Sequence, residues 1–316
     1  MPNQPTPLIP SEVEGRTLAV TGGTGFVGRH LLRIAHDQGL TVRALTRTPQ
    51  PPQPGVHWIQ GSLSDPASLQ TLVHGTSAVL HIAGVINART RAEFDAGNVA
   101  GTAALIAAAQ AENVARFILV SSLAAREPAL SAYGASKAHA EALVTASNLA
   151  WDIIRPPGVY GPGDRETLAL FQMVKSGFAL LPVAGRLSMI EVSDLARALL
   201  AVATSPATRS TAEIDDGAPV THAQLAHAIG VALNKRPRLI TAPRWLVKAA
   251  AHADTSRARL SGSLPKLSHD RARYLTHPNW VATGGNLATR HLWTPQVPLA
   301  AGLRATADWY RQAGWL

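Results

Sequence analysis

Tyr133 and Lys137 stand four residues apart in the run YGASK. On a helix that spacing puts both side chains on one face. A phenol ordinarily titrates at about 10, too high for ready proton exchange near neutrality. A neighbouring ammonium favours the phenolate and brings that value down. The pair therefore suits general acid–base work on an alcohol or carbonyl. Ser121 and Ser122 close the apolar run RFILVSS, twelve and eleven residues upstream of the tyrosine. A hydroxyl at a strand end can hold a substrate oxygen beside the phenol.

A second group of residues suggests what such a pair would work with. The run AVTGGTGFVGRHLL spaces Gly22, Gly25 and Gly28 as G-x-x-G-x-x-G, directly after an apolar strand and at the start of a helical pattern. Glycine at 22 and 25 permits a tight turn and lets backbone N–H groups approach a pyrophosphate, while Gly28 lets helix and strand pack closely. The N-terminus of the following helix, at Phe26 and Val27, favours the anion. The second strand ends in VRALTRTP, with Thr46 where an NAD-binding chain places an acid, and Arg47 next to it. No carboxylate lies between Asp37 and Asp65. A guanidinium there can fork onto a 2′-phosphate, so NADP(H) is favoured and NAD(H) is the alternative. Arg43 points to the opposite face of the same strand and is read as a surface residue.

These residues need a scaffold. Apolar strands at 17–21, 41–45, 57–60, 77–81, 116–121 and 151–155 alternate with helical patterns at 26–36, from Asp65-Pro66, at 94–112 and at 133–147. That alternation predicts an α/β fold, a doubly wound parallel sheet of the Rossmann kind. After about residue 160 the alternation fades into helical patterns at 165–176, 192–204, 221–233 and 244–252. They predict a smaller, mostly helical C-terminal substrate lobe over the C-terminal edge of the sheet. The division expected is a flexible segment at 1–14, a dinucleotide-binding domain at 15–160 and a substrate lobe at 161–316, part of which returns to the sheet. The lobe around Phe171 to Leu187, with Trp245, is expected to shape the substrate pocket. Residues 253–290 show no readable pattern.

Composition excludes several classes. Of 316 residues, 46% are hydrophobic and 16% charged, which fits a folded enzyme rather than a disordered chain. The absence of cysteine removes disulfides, thiolate metal sites and a cysteine nucleophile. No metal site is expected, since His222 and His227 lack the H-E-x-x-H pattern, and no G-x-S-x-G is present. The N-terminus has no apolar core of signal-peptide length and no segment reaches the roughly 20 apolar residues of a membrane span. A cytoplasmic location with no membrane partner is expected. The formal charge of +9 is carried by scattered residues, the tightest groups being Arg89/Arg91 and Arg257/Arg259. They lack the aromatic interleaving of a single-strand binder, so no nucleic-acid partner is expected.

The motifs TGGTGFVG, HIAG at 81–84, NVAGT at 98–102, LVSS, YGASK, RPPGVYGPGD, IEVSDLARAL at 190–199 and the C-terminal GLRATADWYRQAGWL resemble the extended short-chain dehydrogenase/reductase family over nearly the whole chain. The resemblance implies Ser122, rather than Ser121, as the catalytic serine, Tyr133 as the acid/base and Lys137 as its partner and a ribose donor. It implies Ala83 and Gly84 on the adenosine side, Asn98 as a structural asparagine, and Pro156 and Val159 at the nicotinamide. GSLSD at 61–65 departs from the family's usual GDL. Ser62 then stands where an aspartate contacts adenine, and Leu63 remains as a stacking neighbour.

Three functions follow from the resemblance. The first is an NADP(H)-dependent oxidoreductase acting on a carbonyl or alcohol of a small-molecule substrate. The second is a nucleotide-sugar epimerase or dehydratase with tightly bound NAD(P). Against it, Gly158 stands where such enzymes carry a nucleotide-sugar asparagine, and Leu187 where many carry a pyrophosphate arginine, although Arg186 is adjacent. The third is a non-catalytic dinucleotide-binding protein. Alanine-rich helices at 94–112 and 133–147 match those that pair across a two-fold axis in this family, so a homodimer is expected.

Overall fold

The computed structural model describes residues 16–182, 185–263, 265, 267–283 and 292–316; the segment expected to be flexible, 1–14, lies outside these. Its centre is a parallel sheet. β1 (Thr17–Thr21), β2 (Thr41–Thr46), β3 (Val56–Gln60), β4 (Ala78–His81), β5 (Phe117–Val120) and β6 (Trp151–Arg155) are joined by a late strand, β11 (Thr211–Glu213). The spatial order is β11-β6-β5-β4-β1-β2-β3. β1 pairs with both β2 and β4, Leu18 standing opposite Val42 on one side and Ala78 on the other. The chain leaves β1 in one direction and crosses back to β4 in the other, which opens a crevice at the C-terminal ends of these two strands.

Both sheet faces are covered, so the strands read as unbroken apolar runs. One face packs α1 (Phe26–Asp37) and α7 (Val192–Thr204) on Leu18, Val20, Val42 and Ile118. The other packs α2 (Pro66–Val73), α4 (Gly101–Ala111) and α5 (Ala132–Ala146) on Ala19, Val79, Leu119 and Ile153. Asp65 caps α2, accepting from Ala67 N at 3.2 Å, with Pro66 in the first turn.

The helix expected at 94–112 is not continuous. It begins as α3 (Arg91–Phe94), passes through a π-helical turn at Asp95–Ala100 and resumes as α4. The wider turn carries Asn98 inward, where its amide accepts from Val85 N at 2.7 Å and donates to Val85 O and Ser136 Oγ, each at 2.9 Å. Interruptions of this kind mark sites where a side chain must leave the regular helix position.

The C-terminal half divides between the two layers. α7 and β11 complete the sheet layer. Around them, β7 (Gly158–Tyr160), α6 (Leu168–Lys175), β8 (Phe178–Pro182), β9 (Arg186–Leu187), β10 (Met189–Glu191), β12 (Val220–Thr221), α8 (His222–Leu233), β13 (Arg238–Ala242) and α11 (Leu299–Gln312) build the lobe. Its core gathers Tyr160, Phe171, Val174, Ile229, Leu303 and Tyr310. The helix expected at 244–252 runs on as α9 (Arg244–Ser261), followed by α10 (His269–Leu275) and β14 (Asn279–Trp280). The stretch at 253–290 therefore holds the end of α9, α10 and β14, and 284–291 lie outside the described residues.

Candidate active site

The glycine turn sits at the crevice. Gly22 has φ +78°, and a Cβ there would lie 2.6 Å from Ala83 N. A Cβ on Gly28 would fall 2.1 Å from Gly22 O, so helix and turn meet at a distance only glycine allows. Gly25 precedes α1 in the N-cap position, and no side chain caps the helix. The free N–H groups of its first turn therefore face a cleft of about 870 Å3 lined by Gly22, Gly25, Phe26, Val27 and Gly28. An uncapped helix N-terminus behind a glycine cradle fits a pyrophosphate.

Ser122, Tyr133 and Lys137 line the same cleft. Ser131 caps α5, its hydroxyl accepting from Gly134 N at 3.0 Å, which places Tyr133 in the first helical turn. Tyr133 and Ser122 face the cleft together, and Ser122 Oγ accepts from Ala124 N at 3.1 Å. Burial pushes the phenol above its ordinary value, and the neighbouring Ser122 hydroxyl opposes that. Lys137 is buried, donates to Val120 O at 2.7 Å, and is brought down to about 8 by burial against the opposing pull of Glu141. The i, i+4 spacing alone implies a lysine that acidifies the phenol. The structure differs: desolvation of the phenol dominates, and the lysine's nearest acceptor is the end of β5 rather than the tyrosine.

Ala83, Gly84, Pro156 and Val159 also line the cleft, as does Gly158. Asn98 is buried behind Gly84, as a structural residue should be. Ser62 and Leu63 are on the loop after β3, outside the cleft lining; Leu63 packs on Gly101 and Ser62 bonds Ser64 at 2.9 Å. Arg47 is exposed just past the end of β2, without a hydrogen-bonding or ionic partner among the described residues. Arg43 turns away, donating to the carbonyls of Thr71 and His74 at the end of α2. Arg186 is exposed on β9, apart from the cleft.

The cleft is not shaped by the segment from Phe171 to Leu187 or by Trp245. Phe171 is fully buried in the lobe core, against Tyr310. Leu187 is in β9, away from the cleft, and Trp245 is 69% exposed on the outside of α9. Apolar side chains at helical spacing do not say which of two surfaces they face. The far wall instead comes from α10 and the loop before it: Ser268, His269, Asp270, Arg271, Tyr274 and Leu275. Asp270 accepts from Ala132 N at 2.8 Å, fastening α10 to the start of the tyrosine helix. Arg271 pairs with Glu166 at 2.8 Å, another pair of cleft residues. Tyr274 stacks on Trp280 with ring centroids 4.3 Å apart, and burial together with the nearby Tyr133 pushes its phenol up. None of these carried a signal in the sequence, because a single short helix gives too few turns for a periodicity.

His81, which no motif of the sequence marks for a role, is buried beside the cleft wall. Thr102 Oγ1 donates to Asn98 O at 2.6 Å, so it must accept from His81 Nε2 at 3.0 Å. Nδ1 is then left to accept from Thr21 Oγ1 at 2.6 Å, and Thr21 Oγ1 accepts from Ala83 N at 3.3 Å. The chain of bonds fixes a neutral tautomer. Burial, aided by the Lys137 charge, brings this imidazole down to about 3. The relay ties the glycine turn to the π-helical turn.

A crossover crevice, a glycine cradle and a serine–tyrosine–lysine group on one cleft define a dinucleotide-dependent enzyme fold. The chain belongs to the NAD(P)H-binding family, whose model matches residues 22–206, within the extended short-chain dehydrogenase/reductase group related to nucleotide-sugar epimerases and dehydratases. It is 37% identical over 310 residues to a ceramide reductase of Caulobacter vibrioides, covering 95% of this chain and 96% of that one. It is 31% identical over 228 residues to a 4-hydroxy-2-methyl-3-oxo-4-farnesyl-3,4-dihydroquinoline-1-oxide ketoreductase of Stigmatella aurantiaca, covering 64% and 68%. Its fold matches the UDP-glucose 4-epimerase of Thermus thermophilus in complex with NAD, with a TM-score of 0.71 at 20% identity over 94% and 99% of the chains.

Proposed function

We propose that this chain is an NADP(H)-dependent reductase of a ketone carrying a long apolar tail. The observation that carries the reading is that Ser122, Lys137 and a buried Tyr133 phenol line the same cleft as the glycine cradle. A phenol raised by burial keeps its proton at neutral pH and is a donor, which suits the direction from ketone to alcohol. The apolar cleft residues Phe26, Ile82, Ile86, Phe94 and Leu275 suit a hydrocarbon rather than a sugar. The names of the ceramide reductase and the farnesyl-quinoline ketoreductase agree in substrate character.

The dinucleotide, when bound, supplies the hydride. The N–H groups at Phe26 and Val27 hold its pyrophosphate, and Arg47 pairs with a 2′-phosphate. Ser122 donates to the substrate oxygen and keeps it beside the phenol. Tyr133 then gives its proton to that oxygen as negative charge grows there. Lys137 holds positive charge under the site and donates to the ribose. Asn98 and His81 keep the walls in register.

A second reading, a nucleotide-sugar epimerase or dehydratase, is favoured by the fold likeness to the Thermus thermophilus epimerase with its NAD. Against it, Gly158 faces the cleft and Arg186 does not. A panel of long-chain ketones and UDP-sugars, each with NADPH and with NADH, separates the two. Oxidation of NADPH in step with loss of a long-chain ketone is expected. Conversion of a UDP-sugar with no net change in the dinucleotide would put the second reading first.

A further inference from the structure

The outward side of α9 is apolar. Trp245 is 69% exposed, Leu246 41% and Leu260 91%, and Ala249, Ala253 and Ser256 between them are exposed as well. At the helical repeat these six fall on one side, opposite the inward Val247, Ala251 and Ala258. The stripe continues beyond the helix. β13 runs into α9 across Pro243, and its parallel pairing with β8 sets Leu180 beside Ile240, 48% and 45% exposed, with Phe178 exposed two residues back.

The rim of this face is basic. From Lys235 to Ser261 the sequence has seven lysines and arginines against the single acid Asp254. That run carries most of the chain's excess positive charge. Lys235, Arg236, Arg238 and Lys248 are exposed. Arg257 pairs with Asp254 at 2.8 Å, and Arg244 donates to Thr276 O at 3.3 Å. An apolar stripe with a basic border is the pattern of a helix lying in a membrane interface. A second copy docking on the same face would bring like charges together, whereas an anionic lipid surface complements them. No helix among the described residues is long and apolar enough to cross a membrane, so contact would be at the surface.

The face adjoins the mouth of the cleft. Thr255, on α9, lines the cleft, as do α10 and the exposed Ile86. Arg89, also a cleft residue, donates to Gly262 O at the end of α9. We propose that the outer face of α9 with the β8–β13 ribbon is a docking surface for an anionic phospholipid bilayer, and that docking brings the cleft mouth to the lipid from which an apolar ketone is taken. The surface departs from the expectation of no membrane partner, which concerned spanning segments. The supply of substrate rests on the reductase reading; the docking does not.

The test is sedimentation of the full chain with vesicles of phosphatidylglycerol and phosphatidylcholine, and with phosphatidylcholine alone, across a range of salt. Binding to the anionic vesicles alone, weakening as salt rises, is expected. The double variant W245S/L246S should bind roughly tenfold or more weakly, since two large apolar groups lose their burial. The triple variant K235Q/R236Q/K248Q, which keeps every apolar residue, should also weaken binding and flatten its salt dependence. Thermal melts confirm that each variant is folded; if one is not, the other decides. Absence of binding to anionic vesicles, or equal binding by parent and folded variants, overturns the proposal. A lipid-free dimer that W245S/L246S dissociates would assign the face to self-association and overturn it equally. Sedimentation is read without turnover, so its failure leaves the reductase reading standing, and failure of the ketone assay leaves the docking surface standing.

Discussion

At the scale of single residues the proposed reduction rests on a phenol that keeps its proton and an ammonium that is easily lost. Tyr133→Phe removes only the hydroxyl, so dinucleotide binding should survive while turnover falls about 10²–10⁴-fold, as expected for loss of a general acid. A turnover number within a few-fold of the parent on the ketone the panel reveals would exclude the tyrosine from proton transfer. Lys137, brought down to about 8, is protonated near neutrality and loses its charge as pH rises through that value. The rate of reduction should therefore hold through neutral pH and fall on the alkaline side of about 8. Lys137→Arg, charged at every working pH, should remove that limb from the profile of kcat/KM even if the rate itself is lower. Arg47 bears on cofactor choice. Losing one charge-assisted contact costs roughly 1.5–3 kcal/mol, about ten- to a hundredfold in affinity. Fluorescence titration should show NADPH bound in preference to NADH, and Arg47→Ala should erase the difference. Equal affinity in the parent would remove the argument for NADP.

Elements differ in how much of themselves they disclose in the sequence. The strands of the parallel sheet are short, apolar and closed by glycine or polar residues, and β1, β6 and α7 agree with their expected bounds. The glycine turn and the Ser122, Tyr133 and Lys137 positions were legible because each needs a particular residue at a particular element end. The π-helical turn was not. Its cause is the side chain of Asn98 bonding Val85 across the cleft wall, a tertiary contact that local pattern cannot show. The His81 relay is of the same kind. His81→Phe would leave the Thr21 hydroxyl without its acceptor, at a cost of about 1–3 kcal/mol, and should lower the urea midpoint in proportion. The sign of its pH dependence also follows. The buried imidazole stays neutral down to about 3, whereas in the unfolded chain it takes a proton near 6.5. Stability should thus be full above about 6.5 and decline as pH falls from there toward 3, a decline His81→Phe should lessen.

For the whole molecule the legible part was the doubly wound layer, and the obscure part was the lobe. The lobe's helices are short, and α9 shows an apolar stripe to solvent where a core helix would bury it, so Trp245 was read as lining a pocket when it faces outward. A homodimer through α4 and α5 uses a different surface from the outer face of α9. Light scattering of the parent should show twice the chain mass, and that mass should be unchanged by W245S/L246S.

The seventh strand of the sheet has a bearing on how the chain is made. β11 comes from residues 211–213, and α7, at 192–204, covers the face shared with α1. A nascent chain that has left the ribosome only as far as residue 160 holds six of the seven strands. The edge of β6 is then bare, and so is the part of one face, at β4 and β5, that α7 covers in the finished fold. Arg155, which in the finished fold reaches Glu141 at 2.6 Å and Glu213 at 3.6 Å, has only the first of these. Exposed strand edges and apolar faces of this kind are sticky during synthesis. The glycine turn and Tyr133 are thus translated long before the layer that holds them can close. A fragment ending at residue 160, cut where the alternation of strands and helices stops, should aggregate on expression, whereas one extended past β11 regains the missing strand and helix.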